Sequence, residues 1–152
     1  MPNARDHVAT ARTIIDANLY MVLATANQAG QPWASPVYYA PAAYREFLWV
    51  SRPEAKHSRN LSARSEVSIV IFDSSVPIGT GGGVYMSAVA QELAADEQAE
   101  GIAIFSRRSL AHGGHEWTLE DVRAPAALRL YQATALEHYL LGKDDRRVPV
   151  TL

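Results

Sequence analysis

Phe47-Leu-Trp-Val-Ser51, followed by Arg52-Pro-Glu-Ala-Lys56-His-Ser-Arg59-Asn-Leu61, decides how the rest of the chain is read. The first five residues are an apolar run suited to a strand, and the proline after them stops it. Ser51 and Glu54 stand at the spacing of a capping box with Pro53 between them, so the spacing predicts a helix that opens at Ser51. Arg52, Lys56, His57 and Arg59 then place four potential cations within eight residues, and Ser51 and Ser58 add hydroxyl donors. Free amides at a helix start favour negative charge. The stretch reads as a strand turning into an anion-binding corner, against the plainer reading of a solvated basic helix.

Upstream, Val8, Ala11, Ile15 and Leu19 recur at i, i+3, i+7 and i+11, one stripe of a helix over residues 6–18. Residues 21–26 form an apolar run, 27–30 a polar turn ending in glycine, and 32–40 a returning strand. Alternation puts Trp33, Ser35, Val37 and Tyr39 on one face of that strand. Pro36 in its middle cannot donate to a ladder, which marks an edge or bulge with backbone free for a ligand. Residues 41–45 are a second turn.

Downstream, residues 67–73 are the most β-branched run and predict a central strand. Gly79-Thr-Gly-Gly-Gly83 tempts a phosphate-loop reading, but no helix pattern follows and the Lys-Ser/Thr signature is missing, so it reads as a hairpin connection to a strand at 84–92. Ala95, Ala99, Ile102 and either Phe105 or Ser106 predict a further helix with Asp96 as its N-cap. Residues 106–125 read as a long polar, lid-like segment holding one helical turn at 118–121. Residues 128–140 alternate as a long strand, and Arg147 to Leu152 form a last edge strand. The expected fold is a single β-rich α+β domain over residues 1–152: a six- or seven-stranded antiparallel barrel with two or three peripheral helices.

Apolar residues make up 48% of the chain and charged residues 20%, with three Trp, seven Tyr and three Phe, the composition of a folded domain. The absence of cysteine excludes disulfides, thiol catalysis and zinc-thiolate sites. A net charge of -2 argues against capture of nucleic acid, so the basic corner is expected to serve a small molecule. Residues 1–7 hold no apolar core of a secretory signal, and no run reaches the ~18 apolar residues of a membrane span, which gives the expectation of a cytoplasmic protein without a membrane partner. His112-Gly-Gly-His115-Glu116 lacks the helical geometry of a metal motif, and no metal is expected there. Ser35, His57 and Asp73 suggest a triad only by residue type, with no nucleophile elbow near them.

Trp33-Ala-Ser-Pro-Val37 after a glycine turn, Phe47 to Ser51, Lys56, Ser58-Arg-Asn-Leu61 and the strand after it together resemble the flavin-binding split barrel of the pyridoxamine 5′-phosphate oxidase-like proteins. The resemblance implies a homodimer that binds flavin mononucleotide (FMN) at the subunit interface. It places Ser35, Pro36 and Val37, with Trp33 at the head of their strand, along the flavin ring. Val50 and Ser51 then lead toward the phosphate, and Lys56, His57, Ser58 and Arg59 hold it. Counting from Ser51 puts the family's phosphate lysine at Lys56, whereas counting back from Leu61 puts it at His57. Gly83 stands where family enzymes often carry a glutamine that reaches the flavin. The implied function is an FMN-dependent oxidoreductase passing hydride to or from a small molecule, with a deazaflavin-dependent reductase or a non-catalytic flavin-binding protein as alternatives. The end at Arg147-Val-Pro-Val-Thr-Leu152 departs from the oxidase's own Arg-Leu-x-Pro tail, so oxidation of pyridoxamine 5′-phosphate itself is not expected. Arg107, Arg108 and Arg123 remain candidates for another anion pocket.

Overall fold

The strand bearing Trp33 and the strand ending at Ser51 meet where a curled sheet closes on itself. In the computed structural model, which describes residues 3–152, every strand pairs antiparallel within one sheet. Met1 and Pro2, the start of the stretch read as lacking a secretory signal, lie outside the described residues. The strands are β1 (Tyr20–Ala26), β2 (Pro32–Tyr38), β3 (Ala40–Ala42), β4 (Glu46–Ser51), β5 (Glu66–Phe72), β6 (Gly83–Glu92), β7 (Arg129–Leu141) and β8 (Arg147–Val150). Their order is β2-β1-β5-β6-β7-β4-β3, with β8 alongside β7.

The two ends of that order, β2 and β3, are one chain segment broken only at Tyr39. β2 pairs with β1 while β3 pairs with β4, so the bent segment carries the sheet round into a barrel. Counted as one strand, the segment gives the expected seven. The bend is held from outside the ladder: Tyr39 is fully buried, its hydroxyl donates to the Ile15 carbonyl at 2.5 Å, and its amide donates to the Leu19 carbonyl. β5 lies between β1 and β6, the central place its β-branched run predicts.

Three helices pack on this sheet: α1 (Ala4–Ala17), α2 (Lys56–Ala63) and α3 (Gln98–Ala111). Asn3 caps α1 in a capping box with Asp6, and the predicted stripe buries Ala11 and Ile15 completely. α1 and α2 feed Ala11, Ile15 and Leu61 into the barrel interior, beside Met21, Leu23, Phe47, Trp49, Ile69, Ile71, Val84 and Met86. α3 lies on the other face of β4, where Leu48, Leu93, Ile102, Phe105, Val122 and Leu130 form a second cluster. Each large side chain so buried is worth about 1.5–3 kcal/mol of transfer free energy.

Two sequence expectations fail here. Ser51 does not cap a helix: it ends β4, residues 52–55 turn with the Ala55 amide donating to the Arg52 carbonyl, and α2 starts only at Lys56. Pro53 holds a turn position, which its fixed φ suits as well as a helix start. Asp96 does not cap α3 either. Glu97 precedes that helix without a side-chain cap, and the helix runs on to Ala111 through part of the segment read as a polar lid. The rest of that segment is anchored rather than loose. Thr118 and Asp121 form the capping box their spacing foretold, and Val122 beside them is fully buried. Among the described residues no helix is long and apolar enough to cross a membrane.

Candidate functional site

β2, β4 and α2 converge on a single imidazole. His57 Nε2 lies 2.9 Å from Ser51 Oγ and His57 Nδ1 lies 3.2 Å from Ser35 Oγ, so one ring ties the last residue of β4 to the middle of β2. α2 itself is pinned by a buried chain in which Asn60 Nδ2 donates to Thr25 Oγ1 at 3.0 Å and Thr25 Oγ1 donates to the Trp33 carbonyl at 3.4 Å. Burial holds the His57 imidazole below its ordinary value, which favours the neutral ring. A neutral imidazole needs one donor and one acceptor, and two hydroxyls supply both.

Around this bridge Arg52, Lys56 and Arg59 have no carboxylate within ion-pair distance among the described residues. Lys56 is exposed and its Nζ sits 4.1 Å from the centroid of the Trp33 ring, which is itself 44% exposed. No side chain caps the start of α2, and the first amides of a helix have no intrahelical acceptor. Arg59 turns back, its Nε donating to the Glu54 carbonyl at 2.8 Å, and so stiffens the turn between β4 and α2. Arg129, the cross-strand partner of Ser51, leans toward Glu92 at 3.8 Å.

The residues singled out from the sequence therefore separate into two sets. Trp33, Ser35, Ser51, Lys56 and His57 gather at one corner, where Ser35 is buried, Ser51 and His57 are half-buried, Lys56 and Trp33 are exposed, and Pro36 is exposed on the same strand as Ser35. Val37 is buried in the barrel interior and Val50 packs toward the α3 cluster, so the side chains of both point away from the corner. Ser58 is buried, and its Oγ, like Trp49 Nε1, has no hydrogen-bond partner among the described residues.

The triad suggested by residue type does not assemble. Ser35 does meet His57, but the far ring nitrogen meets Ser51, and Asp73 is spent on the amide and hydroxyl of Ser75. His112 is bound to the Tyr38 hydroxyl at 2.8 Å, and His115 lies against the Trp117 ring with centroids 4.2 Å apart. Arg107 and Arg108 line a cavity of about 410 Å³ with Asp16 and Tyr44, whereas Arg123 is drawn off to Gln98 and the Ala95 carbonyl, so the three do not make one pocket. Sequence reading missed Asn60 and Thr25. A lone asparagine within a polar helix and a threonine in an apolar strand give no pairing signal until the fold brings them together.

The sequence model of the family described as pyridoxamine 5′-phosphate oxidase matches residues 8–141. No curated protein matches the sequence. Among solved structures, a heme binding protein from Mycobacterium smegmatis superposes with a TM-score of 0.76 at 23% identity, over 99% of this chain and 59% of that one. This chain thus spans under two thirds of that protein's length. HutZ, the heme storage protein from Vibrio cholerae, gives a TM-score of 0.64 at 18% identity over 82% of this chain and 86% of its own. Campylobacter jejuni ChuZ gives 0.75 at 13% identity over 95% and 59%. At these identities the likeness is one of fold.

Proposed function

The chain belongs to the pyridoxamine 5′-phosphate oxidase family, and from that premise we propose that it binds FMN at the Ser35–His57–Ser51 corner and serves a flavin-dependent oxidoreductase. The observation that carries this reading is the corner itself: an uncapped helix start, an exposed lysine and two serine hydroxyls brought together by one imidazole. These groups fit a phosphate by their chemistry, since all are donors and none is acidic. Lys56 and the amides opening α2 would take the phosphate, with His57 holding the serines in place. The backbone of Ser35, Pro36 and Val37, interrupted as a donor at Pro36, would lie along the ring, and Trp33 offers an exposed apolar wall beside Lys56. When bound, FMN supplies the capacity to accept and release hydride, which no set of side chains here provides.

The exposed Trp33, Pro36 and Lys56 at the corner leave surface that a second copy would cover. Across the outer face of the sheet, Pro36, Val22, Val70, Tyr85, Tyr139 and Pro149 stand opposite one another in register, an apolar row that belongs to neither core cluster. A two-fold dimer through this face would bury the row and add the partner's surface to each flavin.

Anaerobic addition of a reduced nicotinamide nucleotide to the FMN-loaded protein tests turnover. Bleaching of the flavin absorption supports an oxidoreductase. Flavin that stays bound and oxidised with this and other donors assigns the chain to the second reading, ligand binding without turnover, which the descriptions of the M. smegmatis and V. cholerae proteins favour.

A further inference from the structure

The hydrogen-bond polarity of the bridge depends on one proton. With His57 neutral, one ring nitrogen donates to a serine and the other accepts, so one of the two serine O–H groups is consumed by the ring. When the ring takes a proton from water, both nitrogens donate. Both serine oxygens then accept from His57, and both O–H groups are released to point at something else. An anion at the corner would therefore meet two hydroxyl donors and a new positive charge in place of one donor and none.

Resting on the flavin reading above, we infer that His57 is a positioning residue that arms Ser35 and Ser51 for a phosphate-like dianion by taking up a proton as the anion binds. His57 is held between both serines and touches the anion through them. The charged groups about it are Lys56 and Arg59 on α2, Arg52 and Glu54 in the preceding turn, and Arg129 with Glu92 beyond Ser51 on β7 and β6. Burial favours the neutral ring at rest. A dianion beside the ring opposes that effect by favouring its charged form. Binding and protonation then favour each other equally, as linkage requires.

The direct test is an NMR titration of the His57 ring from about pH 8 to about pH 5, spanning the ordinary histidine range, in sulfate and in chloride of equal ionic strength. Sulfate stays a dianion throughout and so removes the titration of the ligand itself. The midpoint is expected to rise in sulfate and not in chloride, and an unchanged midpoint overturns the inference. Affinity gives the second arm: His57→Gln keeps one donor and one acceptor but cannot charge. Wild type is expected to match His57→Gln for FMN at high pH and exceed it by about fivefold at low pH, the usual difference between a charged and a neutral hydrogen bond. Riboflavin, lacking the phosphate, is expected to show no such divergence. Ser35→Ala removes one armed donor and should cut the low-pH gain. Equal pH profiles for wild type and His57→Gln overturn the inference while leaving FMN binding intact. A sulfate-dependent midpoint without flavin binding sustains the inference and defeats the flavin reading.

Discussion

Lys56 and His57 are neighbours in sequence and opposites in circumstance. Lys56 is exposed with its charge resting on Trp33, whereas His57 is half-buried with both nitrogens occupied. We predict that Lys56→Ala weakens FMN binding by about 1.5–3 kcal/mol, the range for a charge-assisted hydrogen bond, without altering the melting temperature; flavin fluorescence quenching measures it. The sequence left these two residues interchangeable because a one-residue shift in counting swaps them, and only the packing of α2 decides which side chain turns toward β2 and β4. Ser51 was legible as a functional hydroxyl and misread as a cap, since spacing alone cannot say whether a turn intervenes. His57 and His138, the latter bound to the Tyr44 carbonyl at 2.8 Å, are both held below their ordinary value of 6.5 by burial. Groups whose folded value is depressed bind protons more readily unfolded, so they cost nothing above 6.5 and destabilise the fold as pH falls below it. The melting temperature of the free protein is expected to drop below that pH, and the His57→Gln, His138→Gln double variant is expected to drop less.

The elements were read more securely than their ends. Periodicity located α1, β1, β5, β6 and β7 because each buries one face, and burial imposes its period on the sequence. α2 and α3 were misplaced at their starts because neither has a side-chain cap, so the nearest capping residues, Ser51 and Asp96, drew the boundary toward them. The Thr118 cap was found by its spacing, whereas the Asn3 box with Asp6 that opens α1 was not. The seating of α3 makes its own prediction. Gly101 faces β4 and β7 so closely that an added Cβ would lie 2.5 Å from Leu93 Cδ2 and 3.1 Å from Leu130 Cδ2, both in the buried second cluster. Gly101→Ala is therefore expected to destabilise the protein by about 1–3 kcal/mol through overpacking, measured by chemical denaturation. Flavin affinity should stay unchanged, because that cluster packs on the face of β4 opposite Ser51.

At the scale of the whole molecule, the curl of the sheet is what builds the corner. By bending one strand at Tyr39 and pairing its halves with β1 and β4, the chain brings Ser35 and Ser51 within reach of a single ring. This closure was invisible in the pattern of residues 32–42, whose break rests on contacts with α1. The hairpin-linked strands led to the expectation of a barrel, but not to the bend that closes it. The uncovered row on β1, β5, β6 and β7 leads to the expectation of a homodimer, and Val70→Glu at its centre is expected to yield a monomer by light scattering and to weaken flavin binding with it. An unchanged dimer would move the interface elsewhere. The central claim, that the corner is a site for FMN held by its phosphate, is tested most directly by equilibrium titration of the purified protein with FMN and riboflavin, following fluorescence of the exposed Trp33 against a Trp33→Phe control. The account predicts saturable binding of one FMN per chain, at least about tenfold tighter than riboflavin, as a phosphate held by charged hydrogen bonds requires. Equal affinity for the two flavins, or no binding of either, would contradict it.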